Sequence, residues 1–260
     1  MDLGLAGKRA LVLSSSRGLG LGVAQSLAAE GASVMMTARS GDQLKSAAEA
    51  INAQGKGRAH TFVGDLKEGV EAIHKAAEEA LGGIDILVAN TGGPPARTPL
   101  TVKPEEWVPQ FEAMVVPVIR LMGLVLPGMR ERKWGRMLTI ASTGVVQPIP
   151  NIVISNALRS SLVGWSKTLA TEIAGEGITV NVVLPGRIKT DRTTEIDGTA
   201  AKAQGKSVEE IEAASVATIP AKRYGQVREF ADVVCFLASE RASYITGSMI
   251  RVDGGAIRTV

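Results

Sequence analysis

The amino-acid sequence predicts an α/β protein with a doubly wound parallel sheet of about seven strands and helices on both faces. Short apolar runs alternate with longer helical patterns almost from the first residue. These runs are rich in β-branched residues and lack in–out alternation, as expected of strands covered on both faces. The alternation continues through all 260 residues without a repeat of roughly 20–50 residues. We therefore predict a single domain over residues 1–260.

Four strands and three helices are predicted in the first part of the chain. Each strand is a short apolar run, and each helix carries apolar residues at helical spacing and ends near a glycine. The predicted strands are RALVLS, SVMMTAR, AHTFVGDL and IDILVANTGG. The helices between them are GLGVAQSLAAEGA, DQLKSAAEAINAQG and GVEAIHKAAEEALGG.

Two long helices dominate the second part. Glu105–Lys133 leads to the strand GRMLTIAS, and a helix from about Ser155 to Gly175 leads to ITVNVVLPG. The helix EFADVVCFLAS and the strand GSMIRVDGG close the domain. Before them, the stretch from Thr190 to Pro220 is polar and rich in Ala, Lys and Glu. We interpret residues 190–220 as a mobile helical flap over a ligand crevice; a surface insertion without function is the alternative.

Composition and charge exclude several classes of protein. The net charge is +3, but basic residues are mixed with acids even in the densest cluster, MRERKWGR, which predicts a solvated loop rather than a nucleic-acid surface. No apolar run approaches the ~18 residues that a membrane span needs, and the N-terminus lacks the pattern of a secretory signal. The single Cys235 excludes an internal disulfide framework and fits a reducing compartment. We expect a cytoplasmic protein that binds neither nucleic acid nor membrane.

A glycine-rich turn, SSSRGLG, follows the first predicted strand and opens the first helix. Such a turn lets the backbone approach a pyrophosphate, which then lies at the helix N-terminus, where free amides and the helix dipole favour anions. A glycine cluster alone is weak evidence, but the preceding strand and the following helix strengthen it. The turn predicts a dinucleotide-binding site.

Several segments together resemble the short-chain dehydrogenase/reductase family, in particular its 3-oxoacyl-ACP-reductase-like members. Gly18 and Gly20 match the family's glycine fingerprint, while Leu13 and Ser14 replace its opening Thr-Gly; Ser14 is small enough to be accepted there. GDL, ANTGG, LPGRIKT and YITGSMIRVDGG resemble further family segments. The resemblance covers nearly the whole chain and implies a Rossmann-like fold and a nicotinamide cofactor.

The resemblance also implies which residues hold that cofactor. The aspartate of GDL would contact the adenine, Asn90 and Gly92 lie in the segment after the fourth strand, and Thr190 would hold the carboxamide. The complete set of implied cofactor-binding residues is Ser14, Ser16, Arg17, Gly18, Leu19, Gly20, Arg39, Asp65, Leu66, Asn90, Gly92, Arg159, Pro185, Gly186, Ile188 and Thr190.

The end of the second strand indicates NADP(H) rather than NAD(H). NAD-binding relatives place an acid there to bind the ribose 2′-hydroxyl, and this chain has Ala38 followed by Arg39. Arg17 lies in the glycine turn nearby. Two guanidinium groups and no carboxylate suit a 2′-phosphate, which arginine binds bidentately. A surface arginine at a strand end is the alternative interpretation of Arg39.

Three of the four positions that carry the family's chemistry have changed. The family uses Asn, Ser, Tyr and Lys. Counting along the matching segments, the serine falls at Ser142, the tyrosine 13 residues later at Ser155 and the lysine at Arg159, while the asparagine falls at Met114. The downstream LVGWSKTLATE fits the family without a gap, so no register shift restores a tyrosine. Tyr224 and Tyr244 lie in stretches that resemble structural turns, and we predict that both are packing residues.

These changes retain the scaffold for hydride transfer and remove the usual proton donor. A serine hydroxyl is a poor replacement for the acidic phenol, and arginine keeps its proton at working pH. Ser155 and Arg159 remain one helical turn apart on the same face. We predict that Ser142 and Ser155 orient the substrate oxygen and that Arg159 fixes the ribose or a substrate anion, with water or the substrate delivering the proton.

Three functions therefore stay open at this point. The first is an NADP(H)-dependent oxidoreductase that acts on a small carbonyl or alcohol at an atypical site. The second is a lyase or dehalogenase on the same scaffold, and the third is a non-catalytic NADP(H)-binding protein. No spacing of His, Cys, Asp or Glu predicts a metal site. The family pairs its long helices between subunits, so the resemblance implies a homotetramer.

Overall fold

The computed structural model describes residues 2–67 and 69–259, and within them the chain forms one seven-stranded sheet. Its strands are β1 (Arg9–Val12), β2 (Ser33–Ala38), β3 (Arg58–Val63), β4 (Ile86–Ala89), β5 (Gly135–Ile140), β6 (Ile178–Pro185) and β7 (Met249–Val252). Their order is β3-β2-β1-β4-β5-β6-β7, and all neighbours run parallel. The predicted fold class is confirmed.

Helices cover both faces of this sheet. Those described are α1 (Gly18–Ala29), α2 (Gly41–Asn52), α3 (Val70–Leu81), α4 (Trp107–Met114), α5 (Val116–Arg132), α6 (Val153–Ile173), α7 (Asp191–Gln204), α8 (Val208–Thr218) and α9 (Val227–Leu237). Buried side chains of α1, α2 and α9 form one apolar core, and those of α3 to α6 form the other. Helices α7 and α8 occupy the predicted flap, residues 190–220.

The sheet order places the crevice between β1 and β4. The chain proceeds outward from β1 to β3 and then returns to add β4 on the other side of β1. At such a switch point the connections after neighbouring strands leave in opposite directions, and a crevice opens at the carboxyl ends of the strands. The glycine turn follows β1 and the ANTGG segment follows β4, so both line this crevice.

The two edge strands depart from the expectation that every strand is covered on both faces. Exposed and half-buried residues alternate along β7, and β3 has a single buried residue among exposed and half-buried ones, whereas all residues of β4 and β5 are buried. Val63 and Met249 are among the exposed apolar residues of the described chain. An edge strand has a neighbour on only one side, so the helices that flank it cover its faces incompletely. The apolar composition of these runs did not indicate that difference.

The long helix predicted over Glu105–Lys133 is broken in the middle. Helix α4 ends at Met114 and α5 begins at Val116. Pro117 follows the break, and its ring nitrogen carries no hydrogen for the helical bond to the carbonyl of Ala113. The break therefore has a cause that lies in the sequence, three residues after the position of the lost asparagine.

By length and composition, the helical stretch Pro104–Arg132 is long and apolar enough to cross a membrane, since an 18-residue window within it has a mean hydropathy of 1.6. The expectation that no apolar run approaches the length of a membrane span is therefore wrong as far as length and composition are concerned. In the fold, Val118, Leu121, Met122 and Val125 of this stretch are buried in the core with α3 and α6. These contacts are those of a core helix.

Candidate active site

The glycine turn is fixed to the sheet by Ser15. Its hydroxyl donates to the carbonyl of Val12 at 2.8 Å, and the amide of Thr37 donates to it at 3.0 Å. Ser14 has φ of 49°, in the left-handed region where glycine is favoured. We predicted that Ser14 is accepted at this position because it is small. The left-handed backbone conformation is a stricter requirement on the residue at position 14 than its size. Gly18 also has a positive φ, of 58°.

Gly20 and Asn90 meet at the switch point. A Cβ atom on Gly20 would lie 2.4 Å from the Ser14 carbonyl oxygen and 3.0 Å from Nδ2 of Asn90. Asn90 Nδ2 donates to the same carbonyl at 3.3 Å. Any side chain at position 20 would therefore push the turn away from β4. Helix α1 has no side-chain N-cap and no acidic residue in its first turn, so its first amides are available to an anion.

The residues predicted to select the cofactor lie around this turn. Arg39 is 83% exposed, with only a loose contact of 3.8 Å to Asp65. Asp65 itself accepts a hydrogen bond from the Lys67 amide. Arg17 extends across the crevice to the flap, where its Nη1 lies 3.8 Å from a carboxylate oxygen of Asp191. The neighbouring residues that complete the predicted set, all partly buried, are Ser16, Leu19 and Leu66.

The segment after β6 closes the opposite side of the crevice. A Cβ on Gly186 would lie 2.6 Å from the Cα of Asp253, which explains why Pro185 is followed by glycine. Ile188 is buried. Thr190 caps α7, since its hydroxyl accepts from the Thr193 amide at 3.3 Å, and its methyl carbon lies 3.8 Å from the position of a Cβ on Gly18. Thr190 therefore lies beside the glycine turn; its predicted contact with a carboxamide stays a prediction.

Ser142 follows β5 and faces the start of α6. The amide of Gly144 donates to its Oγ at 3.1 Å, which leaves the Ser142 hydroxyl hydrogen for another acceptor. A Cβ on Gly144 would lie 2.3 Å from Oδ1 of Asn156. Asn156 also donates to the Ile149 carbonyl at 2.8 Å. Asn156 was not predicted; it holds the loop after Ser142 against α6, and no sequence signal distinguishes it from other asparagines.

Ser155 and Arg159 are both buried in α6, 8% and 7% exposed. Nε of Arg159 donates to Oγ of Ser155 at 3.3 Å. The rest of the guanidinium is directed toward backbone carbonyls: Nη1 to Ile140 at 3.0 Å, and Nη2 to Gly92 at 3.2 Å and Thr91 at 3.4 Å. Arg159 thereby links the carboxyl ends of β4 and β5 to α6.

No carboxylate of the described residues lies within ion-pair distance of Arg159. Burial lowers the pKa of its guanidinium to about 10, so the group is still a cation near neutral pH. A buried charge without a partner is costly unless hydrogen bonds compensate it. Here, three carbonyl oxygens and one hydroxyl provide that compensation. Four of the five N–H groups are used, and one on Nη1 has no assigned acceptor in the described part of the chain.

Met114, at the position of the family's asparagine, offers no polar replacement. It is 3% exposed and belongs to the apolar core of α3 to α6. The tyrosines are also separate from Ser155 in the hydrogen-bond network. Tyr224 is 6% exposed, as expected of a packing residue, and its hydroxyl donates to Asp197 at 2.9 Å. Tyr244 is fully exposed, so the prediction that it packs inside the chain is wrong.

Comparisons with known proteins give a consistent result. Residues 13–256 match a family model described as enoyl-(acyl carrier protein) reductase. The 3-oxoacyl-(acyl-carrier-protein) reductase of Vibrio cholerae is 37% identical over 255 residues, 97% of this chain and 98% of that protein. L-sorbose reductase from Gluconobacter frateurii, solved with NADPH and L-sorbose, has a TM-score of 0.94 and 35% identity over all of both chains. Actinorhodin polyketide ketoreductase, solved with NADPH, has a TM-score of 0.90 and 31% identity over 97% of this chain and 98% of its own.

Proposed function

Because the chain belongs to the short-chain dehydrogenase/reductase family, we propose that it is an NADP(H)-dependent oxidoreductase of a small carbonyl or alcohol substrate. The observation that carries this proposal is the glycine turn at the switch point. Gly20 lies beneath the Ser14 carbonyl, and the first amides of α1 have no side-chain cap. These are the features that a dinucleotide pyrophosphate requires.

The residues around the turn fit such a cofactor. The amides of Gly18 to Gly20 would hold the pyrophosphate, Asp65 and Leu66 the adenine, and Thr190 the carboxamide. NADP(H), when bound, supplies or accepts the hydride. Two NADPH-bound reductases share this fold at 35% and 31% identity, which supports the choice of cofactor. Ala38 at the end of β2 leaves that position without a carboxylate, while Arg39 is free enough to meet a 2′-phosphate.

We expect NADPH to bind more tightly than NADH, and Arg39→Asp to remove that preference. A charge-assisted bond to a phosphate is worth about 1.5–3 kcal/mol, or roughly 10–100-fold in Kd. Calorimetric titration of both cofactors measures this directly. Arg58→Asp is a matched control, since Arg58 is also exposed but lies at the amino end of β3, away from the crevice. Equal affinities of the wild type for NADPH and NADH would contradict the assignment.

The pair Ser155 and Arg159 takes the place of the usual tyrosine and lysine in this proposal. A hydroxyl that accepts a hydrogen bond from a cation becomes a stronger donor through its own hydrogen. The Nε of Arg159 makes that bond to Ser155. Ser155 would then donate to the substrate oxygen, together with Ser142, and stabilise the negative charge that develops there. Neither hydroxyl supplies an acidic proton, so water or the substrate would provide it.

This assigns Arg159 a positioning function rather than direct contact with an anion. Its guanidinium is nearly saturated by carbonyls of Thr91, Gly92 and Ile140, and a group so engaged has little capacity left for a bidentate carboxylate. Its positive charge would still act on Ser155 at hydrogen-bond distance. The earlier alternatives, that it fixes the ribose or binds a substrate anion, are less well supported by these contacts.

A non-catalytic NADP(H)-binding protein is the second candidate. Met114 and Ser155 favour it, because the first removes a polar relay position and the second removes the acidic phenol. It would bind NADPH without consuming it. A lyase or dehalogenase is less well supported, because the glycine turn is retained and Thr190 lies beside it.

We also propose a cytoplasmic homotetramer. In support, Val108 and Phe111 on α4 are 63% and 41% exposed although the helix is apolar, and exposed apolar helix faces are typical of subunit contacts. The single Cys235 fits a reducing compartment. Light scattering at micromolar concentration should give the mass of four chains. A monomeric mass would contradict this assembly.

A further inference from the structure

The flap is attached to the rest of the domain by very few buried side chains. Within α7, every residue of which is described, Asp197 and Ala201 are buried; within α8, Ile211 is, and Ile219, directly after α8, is 2% exposed. The other side chains of both helices are at least partly exposed, including Ile196 at 40%. Apolar burial therefore contributes little to the position of α7. The buried face of α7 nevertheless carries a charged side chain, the carboxylate of Asp197.

Asp197 is 3% exposed, and both of its carboxylate oxygens are paired with the body of the domain. Arg187 Nη1 donates to Oδ1 at 2.8 Å, and Tyr224 Oη donates to Oδ2 at 2.9 Å. The two partners are joined to each other by the backbone, since the Gly225 amide donates to the Arg187 carbonyl at 2.9 Å. Burial raises the pKa of the Tyr224 phenol, so it remains a donor at neutral pH.

The Asp197 carboxylate fixes the orientation of α7 relative to the rest of the domain. A buried carboxylate is tolerated only where donors satisfy it, and two donors at fixed positions define both the depth and the rotation of the helix. Arg187 follows Gly186 directly, in the segment that leads from β6 to Thr190. Asp197, Arg187 and Tyr224 together form an anchor for the flap. This anchor therefore connects the flap to the residues proposed to hold the cofactor.

The first turn of α7 depends on that anchor. The Thr190 methyl carbon lies 3.8 Å from the position of a Cβ on Gly18, and the guanidinium of Arg192 lies 3.4 Å from the position of a Cβ on Gly93, in the loop after β4. This turn therefore closes the crevice between β1 and β4. It lies two helical turns before Asp197, so a rotation at Asp197 displaces it.

We propose that Asp197 is the positioning residue of the flap: through Arg187 and Tyr224 it sets how α7 closes over the cofactor and substrate crevice. This inference rests on the proposed function for its meaning, but the anchor itself can be measured without turnover. The exposed ion pairs of Arg17 with Asp191 and Glu195, at 3.8 and 3.6 Å, are secondary, because exposed pairs contribute little.

Hydrogen–deuterium exchange of the full chain tests the anchor. Asp197→Asn should accelerate exchange in 191–218 by roughly 10-fold or more, the cost of one charged hydrogen bond, while amides of β4 and β5 stay protected. Tyr224→Phe, which keeps the ring, should give a smaller increase in the same residues. Glu195→Gln is the control on α7 and should leave exchange unchanged.

Binding provides a second readout. Asp197→Asn should release NADPH several-fold faster and raise the KM of a carbonyl substrate more than it lowers kcat. Unchanged exchange in 191–218, exchange that rises equally throughout the sheet, or an equal effect of Glu195→Gln would overturn the proposal. If NADPH binds without any turnover, the proposed enzyme activity is wrong. The exchange rates of residues 191–218 still test the anchor in that case.

Discussion

Arg159→Ala is expected to lower turnover roughly 100-fold or more and the free energy of unfolding by about 3 kcal/mol. The substitution leaves buried carbonyls of Thr91, Gly92 and Ile140 without their donor. It also removes the cation that donates a hydrogen bond to Ser155. Both effects act on the carboxyl edge of the sheet, where the crevice lies. Denaturant titration and steady-state kinetics measure the two losses separately.

Two variants separate the role of Arg159 from burial of an arginine in general. Arg159→Lys keeps the charge but loses the planar set of donors, so an intermediate loss of rate is expected. Arg136 is also buried and donates to the Ser239 and Gly177 carbonyls, but at the amino edge of the sheet. Arg136→Lys should lower stability without changing kcat or the Kd of NADPH. An equal loss of kcat in both lysine variants would show that the effect is one of folding alone.

Asp85→Ala is expected to lower the free energy of unfolding by about 2–4 kcal/mol. Asp85 is 6% exposed and precedes β4 at the amino edge of the sheet. Arg9 Nη2 and Nε donate to its two oxygens at 2.7 and 2.8 Å, and Arg132 Nε donates at 2.9 Å. Alanine would leave both guanidinium groups without an acid. Glu176→Ala, which breaks the exposed ion pair with Arg130, should have a much smaller effect on the same denaturation curve.

The same carboxylate makes stability depend on pH. Burial by itself raises the pKa of Asp85, but the hydrogen bonds and charge of Arg9, with the charge of Arg132, outweigh it and the net pKa is lowered. A depressed folded-state pKa stabilises the fold above the unfolded value of about 4. That contribution is lost as the pH falls through the folded pKa. Asp85→Asn should flatten this part of the acid-denaturation curve; an unchanged curve would contradict the assignment.

The fold and the place of the crevice could be predicted because they depend on patterns along the chain. Alternating apolar and helical runs fix a parallel sheet, and the glycine turn between β1 and α1 marks the switch point. The break at Val115 was also encoded, by Pro117, although the apolar pattern of Glu105–Lys133 concealed it. Edge strands such as β3 could not be distinguished from central strands, because the composition of a strand does not indicate how many neighbouring strands it has.

The direction of a side chain has no such pattern, and there the sequence was insufficient. Spacing placed Ser155 and Arg159 on one face of α6, and the structure confirms that they meet. The spacing did not predict that the Arg159 guanidinium is directed toward backbone carbonyls, because the positions of those carbonyls depend on where β4 and β5 end. The anchor at Asp197 was hidden for the same reason: its partners Arg187 and Tyr224 are distant along the chain. Both findings come from tertiary contacts.

Hydride transfer can be measured with NADPH deuterated at both C4 positions and a panel of small carbonyl compounds, followed by mass spectrometry of the alcohols. The wild type should give a deuterated alcohol with at least one carbonyl. Ser155→Ala should give it roughly 10–100-fold more slowly, and Ser160→Ala, an exposed hydroxyl on the same helix, should match the wild type. Tight binding of NADPH without a labelled alcohol from any carbonyl would contradict the proposed oxidoreductase activity and leave a protein that binds the cofactor without using it.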